Sequence, residues 1–360
     1  MTIKSPLLSR PAAVEASGAD AGVAAHYGEP LREQRALAAG TAVVDLSNRG
    51  VVTVSGPDRL SWLNTLSSQQ LTSLAPGQST ELLLLSVQGR IEFDARVVDD
   101  GATTWLIVEG AEAGPLAEWL NKMKFMLRVE IADVSADWAV LGSTQPIPEW
   151  SALHVWEDPW PHVGAGGYSY AVVGEDAHPG LERPWFEYLV PAPELVATVG
   201  ERALAGTMAS EALRIAAWRP RWGAETDDKT IPHELDLLRT AVHLAKGCYK
   251  GQETIARVHN LGHPPRRLVF LQLDGSQHTL PAPGSEVRAG DRKVGTVTSV
   301  AQHYEMGPVA LAVIKRSVAP DDVLTVVDGD EPYAAAQEVI VAPDAGQVVG
   351  RQTGFLRGTR

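Results

Sequence analysis

Lys246-Gly247-Cys248-Tyr249-Lys250-Gly251-Gln252-Glu253-Thr254-Ile255-Ala256-Arg257 is the stretch on which the reading of this chain turns. Two glycines four residues apart bracket the one cysteine among 360 residues. After Gly251 the pattern becomes helical, with Ile255 and Val258 on an inner face and Glu253 and Arg257 at i and i+4. The thiol therefore falls on a tight loop just before a helix N-terminus, where free N–H groups and the helix dipole favour an anion. Lys246 and Lys250 flank it, and each of these influences lowers a thiol pKa. Two readings of Cys248 follow: a partly ionised, reactive thiol, or a small buried apolar residue. No general base is identifiable by spacing, so a protease-like pairing has no support.

Outward from this stretch, residues 211–270 hold ten Lys and Arg against seven Asp and Glu, whereas the whole chain carries 31 against 44, a net −13. An anionic small-molecule ligand is expected in the locally cationic segment, and non-specific nucleic-acid binding is excluded by the overall balance. A lone cysteine allows no intramolecular disulfide and no Cys-based zinc or iron–sulfur site within one chain. No run approaches 18 apolar residues, and the N-terminus lacks the apolar stretch of a signal peptide, so a cytoplasmic protein with no membrane partner is expected. His259 and His263 have metal-pair spacing, but Gly262 and Pro264 interrupt the helix it would need, and no metal site is predicted. His233-Glu234 lacks the second histidine of a zincin motif, and Gly164-Ala165-Gly166-Gly167 is a turn without the following helix of a phosphate loop. Arg219-Pro220-Arg221-Trp222 reads either as a carboxylate clamp beside an aromatic plate or as a solvated loop.

Gly and Pro, 33 and 24, punctuate the chain into short strands and helices, and its length suits two or three cores. Residues 1–30, rich in Ala, Gly and Ser, read as a mobile tail. A helix over 31–39 leads to a strand at 41–46, then a strand at 50–54. Pro57 and Asp58 open a helix that runs to Leu66. Strands are expected at 80–87, 91–98 and 103–108, and helices at 113–127, 192–199 and 209–218. Five of the ten tryptophans lie between Trp138 and Trp185 and read as large core fillers. From Arg267 onward, short strand-like runs without helices predict a small antiparallel barrel or sandwich, with the boundary at Pro264-Pro265.

At these residues the chain resembles a known family. KGCYKGQE closely resembles the signature of the YgfZ proteins, folate-binding relatives of the glycine-cleavage T-protein (aminomethyltransferase). Asp45-Leu46-Ser47 with Val52-Thr53-Val54-Ser55-Gly56-Pro57-Asp58, then Leu213-Arg214-Ile215 and Pro232-x-Glu234-x-x-Leu237, are similar to other parts of it, over roughly residues 33–342. The resemblance implies an α+β fold: a three-domain, T-protein-like ring of two mixed α/β antiparallel-sheet domains and a C-terminal β-barrel, around a channel for tetrahydrofolate. On that frame 31–128 form the first domain, sharing the folate site with 209–265. Residues 129–208 form the second domain, 266–345 the barrel, and 346–360 a tail. The resemblance also implies a role in assembling or maintaining iron–sulfur enzymes, including those that modify tRNA, so folate and iron–sulfur enzymes or their assembly factors are the expected partners. The implied positions are Lys246 and Cys248 for chemistry and Gly247, Tyr249, Gly251, Gln252, Glu253 and Arg257 for the cofactor. Arg221 and Trp222, with Arg214 and Arg219, are added to receive the anionic tail. Two departures stand out. Ala216-Ala217-Trp218 replaces the family's Glu-Ala-Gly after Leu-Arg-Ile, and no Asp follows Gly110 before Trp119, where the T-protein's catalytic Asp is expected. A glycine-cleavage aminomethyltransferase proper is therefore disfavoured. A folate-dependent aminomethyltransferase or demethylase-type enzyme is kept as the alternative.

Overall fold

In the computed structural model, which describes residues 4–347, two five-stranded sheets and a closed six-stranded barrel are joined by short helices. The first sheet runs in the order Ser79–Leu85, Ile91–Asp99, Thr103–Val108, Gly50–Ser55 and Glu130–Asp133, every pairing antiparallel. Alternation along Ile91–Asp99 gives it two faces. Phe93, Ala95 and Val97 enter an apolar core with Leu82, Leu84 and Leu106. Glu92, Asp94 and Arg96 stand on the opposite face, half-buried, and look into the middle of the molecule.

The second sheet runs His154–Glu157, Phe186–Pro191, Trp138–Ser143, Ala42–Asp45 and Ala203–Ala205, the last pair parallel. The expected domain limits do not follow the sheets. Ala42–Asp45 is fully buried and finds partners on both sides only in the second sheet. Glu130–Asp133 pairs with Gly50–Ser55 in the first. Of the five tryptophans from Trp138 to Trp185, four are buried and Trp138 is partly so, as core fillers should be.

Residues 4–30 are not a tail. Pro6–Ser9 form a short helix that buries Leu7, and Val14–Glu15 pairs with Ala24–His26. Between these strands Asp20 reaches Arg221 at 2.7 Å. A few anchors, not average composition, fix the segment. The predicted C-terminal tail lies outside the described residues beyond Gln347. The helix expected over 113–127 stops at Met123, because Met126 takes a positive φ of 54° and turns the chain back. The barrel begins at Arg266, directly after Pro264-Pro265. It includes two strands too short and mixed to read from sequence, Glu286–Ala289 and Leu324–Asp328.

Candidate functional site

The signature loop is braced against the first sheet. Lys246 is buried, and its Nζ donates to the carbonyls of Asn64, Ser67 and Gln69 at 2.5, 2.7 and 2.7 Å. These carbonyls close the helix Arg59–Leu66 and the turn after it, so a lysine fills the role of a C-cap. Burial lowers its pKa to about 8. Its charge is committed to those carbonyls and to the ring of Tyr249, 5.2 Å away. Lys246 thus clamps the signature loop to the helix Arg59–Leu66. Tyr249 is buried in the core that joins the first sheet to the barrel. Gln252 donates to the Lys246 carbonyl at 3.2 Å, closing the loop on itself instead of presenting its amide to a ligand. Lys250 pairs with Glu92 at 3.0 Å and lies 6.0 Å from the ring centre of Trp119.

Gly251 caps the helix Gln252–Leu261 at φ +86°, and a Cβ there would stand 2.5 Å from the Ser86 carbonyl oxygen. Gly247 meets nothing comparable. Gly251→Ala is expected to cost about 1–2 kcal/mol by urea unfolding, from the left-handed φ and the contact together, while Gly247→Ala changes stability far less. Within this brace Cys248 is exposed. Glu253 and Arg257 are exposed too, and no ion pair joins them among the described residues. Arg257 lines neither of the cavities described below.

Three arginines of the cationic segment that were expected to take an anionic tail, Arg214, Arg219 and Arg221, are already paired with carboxylates. Arg221, expected to take an anionic tail, is buried and holds Asp20 and Glu109 at 2.7 Å and Glu211 at 3.3 Å. Arg214 binds Glu211 and Glu225, and Arg219 binds Glu81 and Asp158. Burial opposes the charge on Arg219, but Asp158 and Glu81 hold its pKa above the ordinary value. Trp222 is half-buried against the joint core, and its Nε1 has no acceptor among the described residues. Trp218 sits at φ +59°, the backbone region that favours the family's glycine, and is buried 5.4 Å from the ring of His178. His259 is buried and its Nδ1 lies 3.0 Å from the Tyr170 hydroxyl. No group of three or more metal-ligating side chains occurs among the described residues.

The middle of the molecule is a charged cluster that sequence spacing did not reveal. Arg96 reaches Glu187 of the second sheet at 3.4 Å, and Arg183 reaches Asp158 at 3.5 Å. Arg49 pairs with Glu109. Asp94 stands on the same face of its strand as Arg96 and Glu92. Burial pushes its carboxyl up to about 7, with Glu81 adding to the shift and Arg219 and Arg96 opposing it. Continuing the register of Arg96 with Ile107 by two residues sets Asp94 beside Glu109. The available signal was the polar, alternating half of Ile91–Asp99. A row Glu92, Asp94, Arg96, spaced about 7 Å per step, runs from the signature loop at Lys250 to the ring centre at Glu187.

Of two cavities on this side of the molecule, the inner one includes Arg96 of this row and the outer one includes none of its residues. The inner one, about 30 Å³, is lined by Arg49, Arg96, Asp158, Arg183, Glu187 and Arg219 among others. The outer one, about 570 Å³, lies between residues 18–21 and the turns at Asn48, Gly110 and Ser135. A larger cleft of about 630 Å³ on the barrel includes none of the signature residues.

A ring of two sheet lobes and a closed barrel is the T-protein fold. The aminomethyltransferase T of the Bartonella henselae glycine cleavage system superposes with a TM-score of 0.72 over 93% of this chain and 94% of that one, at 17% identity. Residues 23–144 match the GCVT N-terminal domain and residues 266–343 the glycine cleavage T-protein C-terminal barrel domain, so this chain carries both domains of the T-protein family. An aminomethyltransferase of Corynebacterium aurimucosum is 27% identical over 333 residues, 86% of each chain. A chloroplastic protein of Arabidopsis thaliana that carries a transferase name is 28% identical over 83% of this chain and 72% of its own length. Relatives therefore do not share one compartment. No helix among the described residues is long and apolar enough to cross a membrane.

The fit of a folate differs between the cavities. The inner one is far smaller than a bicyclic pterin and is closed by guanidinium groups, so it does not take the ring. The outer one has the volume for a ligand of that size. Gly18, Ala19, Gly110 and Ala111 make flat walls there, and Asn48 Oδ1 and Arg49 Nε are buried without hydrogen-bond partners.

Proposed function

We propose that this chain is a tetrahydrofolate-binding accessory protein that supports iron–sulfur enzymes, those that modify tRNA among them, and that Cys248 is the thiol it presents to them. The observation that carries this reading is an exposed cysteine on a loop pinned by Lys246, Gln252 and Gly251, outside the buried centre. A partner macromolecule reaches such a thiol, whereas a sulfur inside the ring would serve only a small ligand. Folate belongs in the outer cleft, with Asn48, Arg49, Asp133 and Ser135 as its polar contacts, and supplies one-carbon units when bound. One thiol cannot hold a cluster alone, so the remaining ligands of any transient cluster come from the partner. A free thiol suits the cytoplasm as the place of action. The acidic chain meets tRNA-modifying enzymes and not tRNA itself.

Complementing a null strain with Cys248→Ala is expected to abolish iron–sulfur-dependent tRNA modification. The purified variant should keep its folate affinity by calorimetry and its melting temperature. Full complementation by that variant would remove the thiol from the mechanism.

One observation favours a second reading, a folate-dependent aminomethyltransferase or demethylase-type enzyme: the carboxyl of Asp94, poised to hold or release a proton near neutrality. Formation of methylenetetrahydrofolate from a methylamine donor tests it.

A further inference from the structure

We propose that the cavity at the ring centre binds a small planar oxyanion of the bicarbonate class. Three guanidinium nitrogens on its lining, Arg49 Nε, Arg183 Nε and Arg219 Nη1, have no acceptor among the described residues. Their side chains are only 5%, 8% and 6% exposed. They arrive from three separate elements: the turn after Ala42–Asp45, the segment before Phe186–Pro191, and the segment after the helix Thr207–Ala216. Glu187 Oε2 is an acceptor on the same lining with no donor, the Nε of Arg96 standing 3.4 Å away.

Buried polar groups are expensive to leave unpaired, so this arrangement prescribes its guest. It offers three donors and one acceptor. One water accepts from at most two of the three donors. Bicarbonate has three oxygens in one plane and a single O–H, which Glu187 can accept. At about 30 Å³ the cavity admits a guest of a few heavy atoms and no more. Five guanidiniums and three carboxylates line it, and Glu109, Glu225 and Glu81 pair with Arg49, Arg214 and Arg219 from outside the lining, so the orphan donors rather than net charge select the guest. Burial pulls Arg183 down to about 10 and also lowers Arg49, whereas neighbouring carboxylates hold Arg214 and Arg219 above the ordinary value. Arg49 lines both cavities.

The site does not depend on Cys248 and shares only Arg49 with the folate cleft, so variants at Arg183 and Glu187 test it apart from folate binding. The test is a titration of the full chain with bicarbonate, nitrate, formate and chloride at fixed ionic strength, read by melting temperature and by the line width of carbon-13 bicarbonate. Bicarbonate should raise the melting temperature saturably and above nitrate and formate. Arg183→Lys, which keeps the charge beside Asp158 but lacks Nε, should weaken binding about tenfold. Glu187→Gln should bring bicarbonate and nitrate to equal affinity. A linear response shared by all four salts overturns the proposal, as does unchanged bicarbonate affinity in Arg183→Lys. Should that variant fail to fold, loss or persistence of the bicarbonate preference in Glu187→Gln decides the question.

Discussion

Lys246→Met is expected to lower the unfolding free energy by about 3–4 kcal/mol, read by urea denaturation at neutral pH. Methionine preserves the packing of the stem but removes all three donors, leaving the carbonyls of Asn64, Ser67 and Gln69 unpaired in a buried place. Two of these close the end of the helix Arg59–Leu66, where the dipole also favours a cation. Lys246→Arg should recover little, because a planar fork cannot converge on three carbonyls that one ammonium satisfies. The alternative, Lys246 as a chemical partner of Cys248, makes the opposite forecast: activity lost at unchanged stability. Because Lys246 sits two residues from Cys248, loosening this clamp should also release the loop, seen as faster hydrogen exchange at Gly247–Gln252.

The loop and the following helix around KGCYKGQE were legible, because local spacing specifies them; the exposure of Cys248, left open by the sequence, and the packing of Tyr249, read there as a cofactor contact, were not. Nor were the partners of the motif's charges. Lys246 looks like a thiol neighbour in sequence, yet its acceptors lie about 180 residues away. Arg219 and Arg221 likewise read as free cations because Glu81, Glu109 and Asp20 belong to other elements. Net charge over a window counts residues near in sequence, whereas electrostatics acts between residues near in space. The fold was legible for a related reason: strand alternation and Pro/Gly punctuation are local. Short strands such as Glu286–Ala289 exist only because the barrel closes on them. The N-terminal segment misled in the same way, since Leu7 and Asp20 outweigh a flexible-looking composition.

Asp94→Asn is expected to stabilise the protein by about 2–3 kcal/mol at pH 8 while abolishing any activity that moves a proton at the ring centre. The carboxyl is half-buried on the inner face of Ile91–Asp99, and burial with Glu81 and Asp158 nearby lifts its pKa from 3.8 to about 7. In the unfolded chain it ionises near its ordinary value. Between pH 4 and 7 the native state therefore holds a proton that the unfolded state has released. The stabilisation carried by that proton is fully present below pH 4 and lost as pH rises through 7. The advantage of the asparagine variant should grow as that stabilisation is lost, near zero at pH 4 and largest above pH 7, which melting curves across that range would show. Activity of the unmodified protein should rise over the same range: a base of this pKa accepts a proton only when ionised, so a rate that needs it climbs through pH 7 and vanishes in the variant. A variant more stable yet inactive identifies Asp94 as a group held at a cost for its chemistry. One more stable and fully active reduces it to a buried charge tolerated among arginines, and leaves the exposed thiol of Cys248 as the reactive group.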